Sequence, residues 1–188
     1  IIHEKLEVLE TCVLETRNWL QTVGLELNEE KSSIKDGRNG FLFLGFQIIL
    51  VMKQDQIKVK IHPSTTSKTR FLEKVRQIIQ NNKAASTYQL IMKLRPLILG
   101  WSNYFKYCEC TQDFQLLSHR IFQKIRAWVF RRDTRNGRKF IKSRYFPTGR
   151  VFNFDGSEHQ NNWVLCGKYK SAKAGMIEAD LPPISWVK

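Results

Sequence analysis

Acidic residues are scarce in the middle of this 188-residue sequence. Residues 62–150 hold 4 Asp/Glu against 19 Lys/Arg. Glu73, Glu109, Asp113 and Asp133 stand isolated there. Phosphoryl transfer by two metal ions needs carboxylates that converge on rigid elements, so this stretch offers no such centre. Long apolar runs are also missing. The longest candidate, Phe41 to Met52, is too short for a membrane span and contains Gly45 and Gln47. The opening Ile1-Ile2 runs at once into charged residues and does not read as a secretory signal. Cysteines are few and scattered: Cys12, Cys108, Cys110 and Cys166. The Cys108-x-Cys110 pair has no second pair of Cys or His nearby, so no metal site is expected, and free thiols in a reducing compartment are. His3, His62, His119 and His159 are equally dispersed. His159 precedes Asn161-Asn162, but no second His or carboxylate set completes a nuclease-like cluster. Glu4, Glu7 and Glu10 read as a solvated helix face. No internal repeat and no low-complexity segment is present.

What is abundant is positive charge, and it is localised. The chain carries 31 Lys/Arg and 17 Asp/Glu, a formal net charge of +14. Residues 1–61 sum to −1, residues 62–150 to +15 and residues 151–188 to zero. An excess confined to one segment is the footprint of a polyanion partner. With 42% hydrophobic and 12% aromatic residues the chain can bury a core and is not disordered.

Periodicity predicts an amphipathic helix from Glu4 to Val23, with Leu6, Leu9, Val13, Leu20 and Val23 on one stripe and Gly24 as its C-cap. Phe41 to Val51 and Gln56 to Ile61 read as a β-hairpin turned by Met52 to Asp55. His62-Pro63 breaks it. Three helices are then expected. The first starts at Ser64 or Thr65, runs to about Asn81, and shows Phe71, Leu72, Val75, Ile78 and Ile79 on one face. Ser86 and Gln89 form a capping box for the second. It carries Leu90, Leu94, Leu97, Trp101 and Tyr104, is apolar nearly all round, and should be kinked or split by Pro96. Thr111 caps the third, whose seam is Phe114, Leu117, Ile121, Ile125 and Trp128. Beyond Asp133 the pattern breaks up, with short strands expected at Val151–Phe154 and Trp163–Leu165.

The cations form several sets. Arg120, Lys124 and Arg131 fall near one face of the third helix. Arg70, Lys74 and Gln77 lie beside the apolar face of the first, and Lys68 precedes them on that helix. Arg95 and Lys106 belong to the second helix and its end. The densest run is Arg131, Arg132, Arg135, Arg138, Lys139, Lys142 and Arg144, followed by Arg150. Phe140, Tyr145, Phe146 and Phe152 are interleaved with it. Cations pair with phosphates and flat rings stack on unpaired bases. The plainer alternative is a solvated basic face whose aromatics point into the core, and for the aromatics that alternative is favoured.

Specific motifs add to this. The segment from Gly24-Leu25-Glu26-Leu27-Asn28 through Glu29-Glu30-Lys31-Ser32-Ser33-Ile34 resembles the reverse-transcriptase palm motif that follows the catalytic carboxylates. Phe43-Leu44-Gly45-Phe46 looks like the primer-grip hairpin after it, where Gly45 suits a close backbone approach to a nucleic-acid strand. Arg95-Pro96-Leu97-Ile98-Leu99-Gly100-Trp101-Ser102-Asn103-Tyr104-Phe105 is similar to the signature of the maturase, or X, domain of group II intron reverse transcriptases. Leu99-Gly100-Trp101 stands where the family usually has Arg-Gly-Trp. Trp128 with Arg131-Arg132 resembles the basic stretch closing that domain, although Asp133 stands where the family often has His. The resemblance spans nearly the whole chain and is specific from about residue 24 to 132. Leu181 to Trp186 looks like the approach to the family's DNA-binding and endonuclease region.

The resemblance implies an α+β fold in three parts: residues 1–62 as the end of a palm with its β-hairpin, residues 63–133 as a three-helix thumb, and residues 134–188 as a loop-rich extension with short strands. It implies Lys31 as a general acid near the incoming triphosphate, and Phe43, Leu44, Gly45 and Phe46 as nucleic-acid contacts. The family's catalytic aspartates would precede Ile1, so no catalytic residue is expected in this chain and Mg2+ only in the full-length polymerase. The implied function is to bind group II intron RNA, assist its splicing, and hold an RNA/DNA template–primer in the full-length protein. Two alternatives stay open: a DNA-binding module of a mobile element, and the thumb half of an active RNA-directed DNA polymerase. An intracellular setting, bacterial cytoplasm or organelle, is expected, with no membrane partner.

Overall fold

A computed structural model describes every residue except Asp55, Asp133, Lys173, Ala174 and Lys188. Asp133, read above as an isolated carboxylate, and Asp55, the end of the expected turn, therefore lie outside the described residues. The chain divides into two compact units, one of Ile1–Phe41 with Ile49–Lys58 and the other of Leu42–Ile48 with Val59–Lys188.

The first unit contains α1 (Leu6–Thr22). Leu9, Cys12, Val13 and Leu20 are half-buried, and none of the helix is fully buried. Gly24 ends it as expected. With φ at 74° it lets its own N–H reach the Gln21 carbonyl at 3.2 Å and the Leu25 N–H reach the Leu20 carbonyl at 2.9 Å. That pair of bonds is a Schellman motif, and it satisfies carbonyls the helix end leaves open. Arg17 then ties the helix to the following turn through Glu29 at 3.0 Å.

A three-stranded sheet follows in the order β1 (Phe41–Phe43), β2 (Phe46–Lys53), β3 (Gln56–Pro63). The expected single strand over Phe41–Val51 is thus two strands. Leu44 and Gly45 break it, with φ of 47° and 84°. Two consecutive residues at positive φ make the tight two-residue hairpin turn whose twist suits the flanking strands. The Gly45 carbonyl accepts the Ser64 N–H at 2.9 Å and the Ser67 hydroxyl at 3.0 Å.

The second unit is organised by α2 (Thr65–Asn81), α3 (Thr87–Phe105) and α4 (Thr111–Arg132), close to the expected bounds. Ser64 caps α2 by accepting the Ser67 N–H. Ser86 and Gln89 form the complete capping box of α3. Thr111 does not cap α4 but is its first helical residue; the Phe114 N–H bonds to the Cys110 carbonyl at 2.7 Å. Pro96 does not split α3, which is helical throughout. Pro96 and Met92 lie on the exposed face, so the Met92 carbonyl that the missing N–H would have served is open to water. The opposite side of α3 supplies Leu90, Ile91, Leu94, Ile98 and Phe105 to the core. Phe71, Val75 and Ile79 of α2 and the expected seam of α4 complete it. Each such side chain contributes about 1.5–3 kcal/mol on burial.

The segment after α4 is more regular than expected. It forms α5 (Arg138–Tyr145) and two antiparallel hairpins, β4 (Val151–Phe154) with β5 (Ser157–Gln160), and β6 (Leu165–Ser171) with β7 (Gly175–Leu181). Leu165, Ala179, Leu181, Ile184 and Val187 join the same core as the helices. Packing there is close. A methyl group at Gly167 would lie 2.5 Å from the Tyr88 nitrogen, so only glycine lets β6 cross the start of α3.

Candidate nucleic-acid interface

The groove between α2 and α4 follows from helical spacing. Thr69, Leu72, Glu73 and Arg76 recur at i, i+3, i+4 and i+7 on α2, and Arg120, Gln123, Lys124 and Ala127 do so on α4. These eight residues line an open groove of about 440 Å³. Three cations converge on it against one carboxylate, and Arg76 reaches Glu73 only at 3.7 Å, with both side chains about half exposed. Such an exposed pair contributes little and is screened by salt. The groove therefore keeps a net positive field at its mouth, with Thr69 and Gln123 as neutral donors. Phosphate oxygens are the acceptors that such a set suits.

The other expected cations separate into those the protein itself uses and those left to solvent. Lys68 is held by Asp113 at 2.8 Å, with side chains 21% and 17% exposed, and so straps α2 to α4. Arg95 donates to the Asp180 carbonyl of β7 at 3.4 Å. Arg132 lies over the Trp128 ring, 4.3 Å from its centroid, and donates to the Lys83 and Ala85 carbonyls. Trp128 donates from Nε1 to the Asn82 carbonyl at 3.1 Å, so the two side chains pin the turn between α2 and α3 together. Lys142 sits over Trp163 at 4.5 Å, Arg144 over Tyr145 at 5.6 Å and Lys106 over Tyr107 at 5.4 Å. Arg150 pairs with Glu178 at 3.0 Å, and Lys168 does so at 2.6 Å. The hydrogen bond and charge of Lys168, with Arg150 beside it, hold the Glu178 carboxyl below the usual range.

Arg131, Arg135, Arg138 and Lys139 are exposed and make no ion pair with a described residue. Arg70 and Lys74 are exposed on α2 but outside the groove. Sequence reasoning singled out Arg120 and Lys124 but passed over Arg76. The spacing Thr69, Leu72, Glu73, Arg76 carried the signal, because it matches the spacing of the facing row on α4.

The grip residues are arranged differently from one another. Phe43 and Leu44 are exposed at the β1–β2 turn, Phe43 at 58%. Phe46 packs inward, 5.3 Å from Tyr104 and 4.8 Å from Phe105 between ring centroids. The Tyr104 hydroxyl donates to the Leu44 carbonyl at 2.8 Å. Gly45 makes its close approach to the protein itself: a methyl group there would lie 2.8 Å from the Ser67 hydroxyl. Lys31 belongs to the other unit, exposed, with its backbone N–H bonded to the Asn28 side chain at 3.0 Å.

Among the described residues no three His, Cys, Asp or Glu come together in a way that could hold a metal ion. Burial pushes the Cys108 thiol up to about 12, with Cys110 adding to the shift, and the Cys166 thiol up to about 11. No helix is long and apolar enough to cross a membrane among the described residues.

Residues 68–146, which include the whole groove, match the family model described as "Group II intron, maturase-specific domain". Over those residues the chain is similar to group II intron maturase domains. A relative, "Maturase-like protein 1" of Euglena gracilis, is 30% identical over 105 residues. That stretch is 55% of this chain and 21% of the relative, so the chain spans only a small part of that protein's length. The matched segment holds α3, α4 and α5, and α2 from Lys68 onward. The two C-terminal hairpins fall outside the match, although β6 and β7 pack against α3 inside it.

Proposed function

We propose that this chain binds group II intron RNA through its maturase domain and so assists splicing of the intron, as part of a group II intron reverse transcriptase. The groove between α2 and α4 carries the reading: Arg76, Arg120 and Lys124 converge there inside the matched domain. Arg131, Arg135, Arg138 and Lys139 extend the positive surface beyond the end of α4. Structured RNA presents phosphates at a spacing that several fixed cations can meet at once, and the released counterions favour binding. The catalytic aspartates, Mg2+ and a template–primer would belong to a polymerase of which this chain is a part. The setting would be that of the intron, a bacterial cytoplasm or an organelle.

Seven cations contacting phosphates, six of them exposed and Lys124 half-buried, give a salt slope of about −5 to −6, or about 10³-fold weaker binding between 50 and 200 mM salt. The test is a fluorescence anisotropy titration of group II intron RNA across that range, with duplex DNA of equal length as competitor. A steep slope with RNA preferred supports the reading. Affinity that ignores salt, or a clear DNA preference, overturns it. A splicing assay with the cognate intron then asks whether binding assists the reaction.

A further inference from the structure

Tyr169 of β6 and Tyr88 of α3 stack face to face, their centroids 5.4 Å apart and their planes 24° from parallel. Leu165, Gly167 and Tyr169 alternate along one face of β6, the face turned to α3. Gly167 brings that face against the backbone of Tyr88, which fixes where the two rings meet. Yet Tyr169 keeps 49% of its surface in water although one ring face lies on Tyr88. Met92, one helical turn after Tyr88, is half exposed beside it. The nearby charge is positive. Lys170 follows Tyr169 in the strand and so leaves the opposite face of β6. Lys83 and Lys93 stand at the same end of α3, exposed, with Lys93 bonded to the Asn82 side chain at 2.6 Å. Glu178, the closest carboxylate on β7, is already shared by Lys168 and Arg150.

We infer that the Tyr88–Tyr169 stack is a shelf on which an unpaired RNA base lies, with the exposed cations Lys83 and Lys93 near the start of α3 available to its flanking phosphates. The inference rests on the RNA-binding reading above and adds a class of substrate to it. A base inside a duplex has both faces covered by its stacked neighbours and cannot lie on a tyrosine. A base in a bulge, loop or tail can. The α2–α4 groove grips backbone and is indifferent to pairing; the shelf selects for single-stranded positions. Both tyrosines are fixed before binding, so little ordering cost offsets the stacking.

The test uses the whole chain and two fluorescently labelled RNA hairpins with the same stem, one blunt and one with a short unpaired adenosine tail. Wild type should bind the tailed hairpin more tightly. Tyr169→Leu, which keeps apolar packing on Tyr88 but loses the flat ring, should weaken tailed binding about 5- to 150-fold, from a base–aromatic stack of about 1–3 kcal/mol. It should leave blunt binding unchanged, and Tyr169→Phe should match wild type. A 2-aminopurine placed in the tail should be quenched by wild type. Equal loss on both hairpins, no loss on the tailed one, no tail preference in wild type, or an unquenched 2-aminopurine each overturns the shelf while leaving RNA binding intact. If Tyr169→Leu unfolds, the wild-type quenching and tail preference still decide. Should wild type bind neither hairpin nor intron RNA, the broader reading fails with it.

Discussion

Arg131 and Arg132 are neighbours in sequence, but their replacement by Ala should have separate consequences. The Arg132 guanidinium lies 4.3 Å from the Trp128 ring centroid and donates to the Lys83 and Ala85 carbonyls. A cation that stays exposed over a ring contributes about 0.5–1 kcal/mol. A charged hydrogen bond contributes about 1.5–3 kcal/mol where it is sheltered, less here because the side chain meets water. Arg132→Ala should therefore destabilise the fold by about 1–3 kcal/mol. A loss of about 1 kcal/mol lowers Tm by about 2–4 °C in a domain of this size. Arg131 is exposed with no ion pair to a described residue, so Arg131→Ala should stay within about 0.5 kcal/mol of wild type. It should instead flatten the salt dependence of RNA binding by about 0.7–0.9 in slope, one phosphate contact. Urea unfolding followed by circular dichroism gives the first quantity, and anisotropy across a salt series gives the second. Equal destabilisation by the two variants, or an unchanged slope in Arg131→Ala, would refute this division of labour.

Joint replacement of Arg76, Arg120 and Lys124 by Ala should reduce the salt slope by about 2–3 while leaving the thermal transition near that of wild type; a lost transition would show the groove cations to be structural. Lys68→Met should cost about 1–3 kcal/mol in urea unfolding because it strands Asp113, and adding Asp113→Leu should recover much of that loss. Gly167→Ala should cost about 2–3 kcal/mol by calorimetry, since the new methyl meets the backbone of α3 instead of a movable side chain. Cys108 and Cys166, with thiols raised to about 12 and about 11, should resist iodoacetamide at pH 8, and their alkylation should quicken as pH climbs toward those values or on unfolding, read by mass spectrometry.

Legibility in the sequence tracked how much of each element meets the core. The helices α2, α3 and α4 each bury a full stripe, so Phe71, Val75 and Ile79, or Phe114, Leu117 and Ile121, announced themselves by period. The Ser86–Gln89 box was equally readable because its chemistry is local. By contrast α5 buries only Ile141 in eight residues, too short for a period to emerge among its cations. Along β6 burial runs as three buried residues followed by three exposed ones, because one half lies between packed elements and the other projects past α3; no alternation was there to read. The sharp turn at Leu44–Gly45 carries a single glycine inside an apolar run, and Leu44 at positive φ is a conformation few sequences advertise. The charge of residues 62–150 marked the candidate interface. Which cations stay clear of internal partners was not legible, since Lys68, Arg95 and Arg132 differ from Arg131 only in their partners across the fold.

The way the last hairpin seals the helices bears on heredity as well as on folding. Leu165, Leu181, Ile184 and Val187 cover apolar surface of α3 and α4, yet they lie past the last residue of the matched maturase segment. Recombination that moved that segment alone into a new gene would deliver it with an uncovered flank, prone to aggregate. The unit that can be moved intact into another gene is therefore longer than the matched segment, and its outer boundary is set by where the apolar cover ends.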